Sequence, residues 1–301
     1  PFMEYNIPFI VLKFPFKENN MIDDIFAKFD GAFAKNTIRA YRSDFNQYQN
    51  WCLQNNQETI PATAEIMATY VDYLSENNKS ATIRRRINSL GTVLKLSKNH
   101  DPTKDPEVIL ALKRMHRKIG RAQEQATPLT KSLLNQLLNN CDNNIMGIRN
   151  QVLLRLGYET MRRRSELCAF KFEDIDCAPN GKPIIKLNFS KTDQYGTGKV
   201  IPISEELLNL LEKWREIVCN EGYILRSINK HGHIGNSLNP ASISTILKTL
   251  QEGLKTGSYQ QPLSGHSFRV GAALDLLEQG EPLEKIMLRG GWQTESSSMK
   301  Y

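Results

Sequence analysis

The chain has 301 residues and carries 39 lysines and arginines against 32 aspartates and glutamates, which gives a formal net charge of +7. An excess of positive charge favours a polyanionic partner, and this length suits two domains. The five cysteines are scattered and include no Cys-x-x-Cys pair, which is typical of a reducing compartment rather than of a disulfide-stapled secreted protein. No apolar run in the sequence is long enough to span a membrane.

Residues 1–20 are predicted to form an N-terminal extension. They are richer in phenylalanine, isoleucine and proline than a disordered tail usually is. They nevertheless lack the basic start, the clean apolar core and the cleavage site of a signal peptide. We therefore expect this segment to pack on the first domain or on a neighbouring molecule.

Residues 21–120 are predicted to fold as a bundle of four amphipathic helices. Asn36 and Thr37 are suited to cap the first helix, because short polar side chains accept hydrogen bonds from free backbone N–H groups. Apolar residues then recur at helical spacing in four stripes, which we interpret as the core of the bundle. The stripes are Ile38, Tyr41, Phe45, Tyr48 and Trp51; Ile66, Tyr70, Tyr73 and Leu74; Ile83, Ile87, Leu90 and Leu94; and Val108, Leu112, Met115 and Ile119.

The positive charge is concentrated in one stretch of this helical domain. Residues 79–121 hold twelve lysines and arginines and three acidic residues, a net charge of +9, so the rest of the chain sums to −2. A run of charge is usually a solvated face. An excess confined to one region instead indicates a surface that docks on the phosphate backbone of DNA.

A polar stretch at 121–128 without large apolar residues is predicted to be the linker to a second domain at 129–301. This domain is expected to be largely helical. Strands are predicted at 186–189 and 199–203, because turn-forming residues separate two apolar stretches, and a third strand is predicted near 183–185. The fold class is therefore mainly α with a small β-sheet.

Two short segments carry candidate phosphate-binding side chains. His266 and Arg269 stand three residues apart at the start of a predicted helix, so both leave one face of its first turn beside free backbone N–H groups. The second segment is the triple arginine at 162–164, followed closely by Glu166. The planar fork of arginine matches two phosphate oxygens. Taken singly, each segment is as typical of a solvated, charged helix face.

Five motifs in a fixed order favour the phosphate interpretation. They are Arg163-x-Ser165-Glu166-Leu167, Lys191 within Phe189-Ser190-Lys191-Thr192, His266-x-x-Arg269, Gly290-Gly291-Trp292, and the late Tyr301. Together they resemble the tyrosine recombinase (phage integrase) family, and the segments around His266 and Trp292 resemble its Cre-type branch. The resemblance covers roughly residues 37–301, with the strong motifs in the second half.

The resemblance implies a helical core-binding bundle followed by a mixed α/β tyrosine-recombinase catalytic domain. It also implies site-specific DNA recombination without metal, ATP or another cofactor. Tyr301 is the expected nucleophile and Lys191 the expected general acid, and the register of Ser165 and Glu166 favours Arg163 as the active-site arginine of its run. The implied catalytic residues are Arg163, Glu166, Lys191, His266, Arg269, Trp292 and Tyr301.

The implied partner is double-stranded DNA with inverted-repeat half-sites, bound by a dimer at each site and by a homotetramer across two sites. Because arginine reads guanine through two hydrogen bonds, we expect one or two of the basic residues to specify sequence and the others to hold phosphates. A cytoplasmic, nucleoid-associated location is expected. The expected DNA-binding residues are Arg39, Arg42, Arg84, Arg85, Arg86, Lys113, Arg117, Arg121 and Lys230.

Other interpretations are weaker on sequence grounds. The helical bundle argues against a type IB topoisomerase-like enzyme, and the intact set of catalytic residues argues against a silent DNA-binding protein of the same fold. His231 and His233 lack the cysteine or carboxylate cluster of a metal site. The resemblance also implies a helix after the nucleophile that docks into the adjacent subunit. Since the chain stops at Tyr301, we expect half-site binding to persist and tetramer formation to be weakened.

Overall fold

The computed structural model describes residues 23–122, 125–188, 198–218, 221–254, 261–292 and 294. The chain divides into two compact units, Pro1–Gln123 and Glu124–Tyr301. The described part is mainly helical and contains one three-stranded sheet, which confirms the predicted fold class. The predicted extension at 1–20 lies outside the described residues. Within the described ranges, no helix has both the length and the apolar character needed to cross a membrane.

Four long helices form the first unit, one for each apolar stripe of the sequence. A short helical stretch at 23–27 precedes them and buries Phe26 in the same core. A 3-10 helix at Pro102–Lys104 lies before the last of the four. The four helices are α1 (Lys35–Gln54), α2 (Ala64–Asn77), α3 (Ser80–Leu96) and α4 (Pro106–Ile119).

The helix starts show where the sequence prediction was wrong in detail. Helix α1 begins at Lys35, so Asn36 and Thr37 lie inside its first turn, and the residue before it, Ala34, offers no side-chain cap. Helix α2 does have a side-chain cap, because the Thr63 hydroxyl accepts a hydrogen bond from a backbone N–H of the first turn. Because α1 has no such cap, it is stabilised mainly by the packing of its own apolar face.

Aromatic rings fill the centre of the first unit. Tyr48 and Trp51 of α1 pack against Tyr70 of α2, with ring centroids 5.1 and 5.0 Å apart respectively. All three side chains are buried. Because each aromatic pair adds roughly 0.5–1.5 kcal/mol beyond the burial of its area, this cluster fixes α1 on α2.

The second unit carries seven helices and the sheet in its described part. A 3-10 helix at Phe172–Asp174 leads into the first strand. The helices are α5 (Lys131–Asn139), α6 (Ile145–Thr160), α7 (Arg164–Leu167), α8 (Glu205–Ile217), α9 (Ser242–Glu252), α10 (Ser267–Glu278) and α11 (Leu283–Gly290). The strands are β1 (Ile175–Cys177), β2 (Pro183–Leu187) and β3 (Lys199–Pro202).

The sheet is antiparallel with β2 in the middle, and Ile185 lies opposite both Ile175 of β1 and Ile201 of β3. The prediction of separate strands at 183–185 and 186–189 was wrong, because one strand, β2, spans the junction. Of its five residues only Lys186 is exposed, so both faces of the strand are covered at Ile184 and Ile185. The third strand is β1, in a segment for which no strand was predicted from the sequence.

Helix α10, which begins at Ser267, is held by the start of the second unit. The Ser267 carbonyl accepts a hydrogen bond from Leu129 N at 3.0 Å, and the Asp275 carboxylate accepts one from Lys131 N at 2.7 Å. A Cβ atom at Gly271 would overlap the backbone of Leu129, so this glycine permits the close approach.

The other side of α10 packs on α6. Phe268 is fully buried and its ring crosses Gly157, where an added Cβ would lie only 2.7 Å from the ring. Since protein interiors are close-packed, this contact sets the distance between the two helices. The rotation of α10 about its axis is fixed with it, and so are the positions of His266 and Arg269 on either side of Phe268.

Candidate active site

The triple arginine at 162–164 follows a sharp change of chain direction. Met161 ends α6 in the left-handed conformation, with φ of +54°, and its N–H donates to the Gly157 carbonyl. This conformation costs a residue other than glycine on the order of 1–2 kcal/mol, so its neighbours must hold it in place. After the turn, Arg162 is buried, Arg163 is half-buried and Arg164 is exposed.

Arg162 ties the turn to the end of α11. Its Nε donates to the Thr160 carbonyl at 2.8 Å, and its Nη2 donates to the Arg289 carbonyl. The side chain is 2% exposed, and burial lowers its pKa. The same guanidinium lies against Gly291, where an added Cβ would come within 2.9 Å of Nη1. Arg162 therefore acts as a structural tie between two parts of the site.

Arg163 is bound by the carboxylate of Glu166. Glu166 Oε1 accepts from Arg163 Nη1 at 2.8 Å, and Oε2 accepts from Arg163 N at 3.1 Å. Burial raises the pKa of Glu166, but these two hydrogen bonds and the charges of Arg163 and Arg162 outweigh it and leave the pKa below its ordinary value of 4.5. Glu166 thus favours its ionised form and orients the Arg163 side chain.

Arg269 is buried where the turn and the end of α11 meet. Its side chain is 1% exposed, and Nη1 donates to the carbonyls of Met161 at 2.6 Å and Gly290 at 2.8 Å. The Trp292 ring lies across the guanidinium, with the ring centroid 4.6 Å from Cζ. An added Cβ at Gly290 would overlap that ring, so the glycine makes room for the indole.

His266 lies at a cleft of about 350 Å³ on the surface of the second unit. Although the residue is exposed, partial desolvation of its imidazole lowers its pKa, and the charges of Arg269, Arg163 and Arg164 lower it further. The imidazole is therefore held neutral at a pH where a free histidine begins to take up a proton. The lining residues are Arg163, Arg164, Ser244, Ser264, Gly265 and His266.

The structure thus brings five of the seven predicted catalytic residues into one region, from segments more than a hundred residues apart. Lys191 and Tyr301 lie outside the described residues. Guanidinium and imidazole groups suit the stabilisation of negative charge on a phosphate, and the one carboxylate among these residues, that of Glu166, is already bound to Arg163. In the described ranges, no group of three or more His, Cys, Asp or Glu residues is placed to hold a metal ion.

In the first unit, acidic residues engage three of the arginines expected to bind DNA. Arg85 donates with both Nη atoms to the buried carboxylate of Asp44, and Arg86 Nε lies 4.0 Å from the same carboxylate. Arg42 pairs with Asp23 and stacks on a phenylalanine ring. These side chains are thus partly occupied within the bundle, which sequence reasoning did not show.

The other expected DNA-binding residues are exposed, and among the described residues no salt bridge engages them. Burial lowers the pKa of His116, and the charges of Arg121 after α4 and Arg84 on α3 lower it further. The sequence analysis did not single out Asn88, which lines a groove together with Arg84. The two residues are four apart, and this helical spacing places them on one face of α3. Ser244 was not singled out either. The exposed residues are Arg39, Arg84, Lys113, Arg117, Arg121 and Lys230.

Replacing Arg162 by Met is expected to destabilise the second unit far more than replacing Arg164 by Met. Each carbonyl that loses its buried donor costs on the order of 1–3 kcal/mol, and Arg162 serves two. Arg164 is exposed, so its replacement should change the free energy of unfolding by less than about 0.5 kcal/mol. Chemical denaturation of both variants measures the difference, and equal effects would contradict a structural role for Arg162.

Replacing Glu166 by Gln is expected to have a pH-dependent cost. Because the folded pKa of Glu166 lies below 4.5, its ionised form contributes stability that is fully present above about pH 4.5 and is lost as the pH falls through the folded value. The stability gap between wild type and E166Q should therefore be constant near neutral pH and narrow in acid. Urea denaturation from pH 7 to pH 3 measures it, with the exposed Glu212→Gln as control. A gap that does not change with pH would refute the assignment.

Models of known protein families match parts of both units of the chain. Residues 127–301 match the phage integrase family, and residues 28–97 match the N-terminal SAM-like domain of phage integrases. The chain is 29% identical to an integrase/recombinase XerD homologue of Selenomonas ruminantium over 97% of this chain and 89% of the relative. It is 27% identical to the recombinase Cre of Escherichia phage P1 over 90% of this chain and 84% of the relative.

Solved structures share the fold at low sequence identity. A lambda integrase dimer bound to a COC′ core site aligns over 94% of each chain with a TM-score of 0.66 and 14% identity. The integrase of the Tn1549 transposon, in complex with transposon right end DNA, aligns over 93% of each chain with a TM-score of 0.67 and 14% identity. With the family match covering more than half of its length, the chain belongs to the phage integrase family of tyrosine recombinases.

Proposed function

We propose that this protein is a site-specific DNA recombinase that cleaves and rejoins DNA through a 3′-phosphotyrosine intermediate at Tyr301. The proposal includes the roles of the seven catalytic residues and a core-binding domain at 21–120 joined by a linker at 121–128 to a catalytic domain at 129–301. It also includes independence from metal and ATP, since an ester exchange conserves the energy of the broken bond.

One observation carries the proposal. Arg163 and Arg164 line one cleft with His266, although they are about a hundred residues away from it along the chain. The only carboxylate that binds Arg163 in the described part is Glu166, and it leaves the cleft without a carboxylate lining. Such a site favours an anionic group that develops further negative charge in the transition state.

The proposed first step is an attack of the Tyr301 hydroxyl on a DNA phosphorus. The tyrosine oxygen forms the new ester, the bond to the 5′ oxygen breaks, and a 5′-hydroxyl leaves with a proton. Arg163 neutralises charge on the non-bridging oxygens, and His266 in its neutral form donates to one of them or accepts the tyrosine proton. The reverse attack by a 5′-hydroxyl of another strand restores the phosphodiester.

Lys191 is the proposed donor of the proton to the departing 5′ oxygen. Its place between β2 and β3 along the chain suits a residue on a hairpin loop. Trp292 donates through its indole N–H but cannot transfer a proton reversibly, so proton transfer depends on Lys191, His266 or water. The Trp292 ring also packs on Arg269, so its proposed contact with phosphate coexists with a structural role.

The proposed partner is double-stranded DNA with inverted-repeat half-sites, bound by a dimer at each site and by a tetramer across two sites. The lambda integrase structures, which include a dimer on a core site and a tetramer on a Holliday junction, support this arrangement by analogy. The net charge of +9 at 79–121 supports a contact with the DNA backbone in the first domain.

A nicked suicide substrate tests the chemistry. The DNA is a duplex that the protein selects from a random-sequence library, nicked close to the cleaved bond so that the small product diffuses away. Wild type is expected to form a 3′ adduct that survives denaturation, and Tyr301→Phe to form none. Arg163→Ala should slow adduct formation by roughly 10²–10³-fold, because it removes a charge that stabilises the transition state.

Lys213→Ala, which removes an exposed charge on α8, is the control and should form the adduct at the wild-type rate. An adduct that persists in Tyr301→Phe would refute the nucleophile. Selective DNA binding without any adduct would favour a DNA-binding role. Exchange of strands between two sites, against relaxation of a single supercoiled circle, distinguishes a recombinase from a type IB topoisomerase-like enzyme.

Arg84 is expected to contribute more to DNA binding than Arg42. Arg84 is exposed and within the described residues has no salt bridge, whereas Arg42 is paired with Asp23. In Tyr301→Phe protein, Arg84→Ala should weaken binding and reduce the slope of log K against log salt by about 1, the contribution of one phosphate contact. Arg42→Ala should leave the slope nearly unchanged. A larger effect of Arg42→Ala, measured by fluorescence anisotropy across salt concentrations, would contradict this assignment.

A further inference from the structure

Arg164 has no role in the mechanism described above, yet it lines the same cleft as Arg163 and His266. Its side chain is exposed, and its Nη1 donates to the Ser244 hydroxyl of α9 at 3.1 Å. Within the described part of the chain, no carboxylate forms a salt bridge with Arg164. A charged guanidinium held by a single neutral hydroxyl retains most of its capacity to bind an anion.

The backbone around Arg164 keeps this side chain in the cleft. A Cβ atom at Gly265 would overlap Cγ of Arg164, so the glycine beside His266 leaves the space in which the aliphatic part of Arg164 lies. Ser244 binds the far end of the same side chain. The aliphatic part of the Arg164 side chain is therefore held beside Gly265, and its guanidinium is held by Ser244. The side chain loses less rotamer entropy when it binds a ligand.

The cleft is electropositive throughout its lining. Its residues are two arginines, a histidine, two serines and a glycine, and none is acidic. The charge of Arg164 is close enough to His266 to lower its pKa, together with Arg269 and Arg163. The positive charge thus extends past the site of Arg163 towards Ser244. A DNA strand carries a phosphate at every nucleotide, so a strand in this cleft would present a second phosphate to it.

We propose that Arg164, aligned by Ser244 and accommodated by Gly265, is a positioning residue that binds the DNA phosphate adjacent to the one bound by Arg163 and His266. This inference rests on the proposed function and extends it. The planar fork of Arg164 donates to non-bridging oxygens of that adjacent phosphate. Fixing one phosphate restrains the next along the strand, so Arg164 sets the approach of the reacting phosphorus without touching it.

Equilibrium binding tests the phosphate contact. The protein is the Tyr301→Phe form, and the probe is the duplex it selects from a random-sequence library. Arg164→Ala should weaken binding on the order of tenfold and reduce the slope of log K against log salt by about 0.9, the value for one phosphate. Arg164→Lys should keep most of the slope because it keeps the charge. Lys213→Ala, a loss of the same charge on α8, should change neither quantity.

Substitution of single DNA phosphates by an uncharged analogue locates the phosphate that Arg164 binds. Methylphosphonate replaces the phosphates of each strand of the selected duplex one at a time. With protein that carries Arg164, replacement at one position should weaken binding, and where wild type forms the adduct this position should lie next to the cleaved bond. With Arg164→Ala the same replacement should have little further effect, because its partner is already gone. Full additivity at every position, or an unchanged salt slope in Arg164→Ala, would overturn the proposal.

The tests of Arg164 can fail or succeed independently of the test of the proposed function. Adduct formation by wild type on the suicide substrate tests the recombinase chemistry, whereas both experiments on Arg164 measure binding by a variant that lacks the nucleophile. If the adduct forms and Arg164 shows no coupling, this inference alone fails. If no adduct forms but Arg164 couples to one phosphate, the phosphate contact stands and the proposed chemistry fails. Thermal unfolding of Arg164→Ala, expected near the wild-type midpoint, excludes loss of folding as the cause.

Discussion

The buried guanidinium of Arg269 is the interaction on which the rest of the site depends. It donates to the carbonyl of the left-handed residue Met161 and to the carbonyl of Gly290, and the Trp292 ring covers its face. Both hydrogen bonds leave from Nη1, and they form only when these three segments are in place together. Arg162 repeats the same connection through Arg289. The turn after α6, the first turn of α10 and the end of α11 are therefore held together by these contacts.

This connection has an electrostatic consequence. Arg163 and Arg164 line one cleft with His266, and the carboxylate of Glu166 is bound to Arg163. Like charges held close together cost stability in the free protein. In the proposed function, a DNA phosphate that enters the cleft offsets this repulsion. Burial is the main cause of the lowered pKa of His266, and the neighbouring arginines lower it further, since a proton on the imidazole would add one more positive charge.

The first unit distributes its arginines in another way. Asp44 is buried on α1 and binds Arg85, so part of the positive charge of α3 is used to join two helices. Charge that the sequence places in one basic stretch is therefore divided between packing and an exposed surface. The identity of the paired residues depends on which side of α3 faces α1, because only arginines within reach of a carboxylate form the bond. A count of lysines and arginines along the sequence contains no such information.

The sequence by itself determined the fold class, the four helices of the first unit and the family, because apolar periodicity and ordered motifs are local properties of the chain. It also determined which residue types gather in the candidate site, and its Ser-Glu-Leu register favoured Arg163. The tertiary structure decided the three different environments of the arginines at 162–164, the single strand β2 and the pairing of Arg85 with Asp44. Those outcomes depend on a left-handed turn and on contacts between residues far apart in sequence, and local patterns do not encode which distant backbone or carboxylate will lie beside a given side chain.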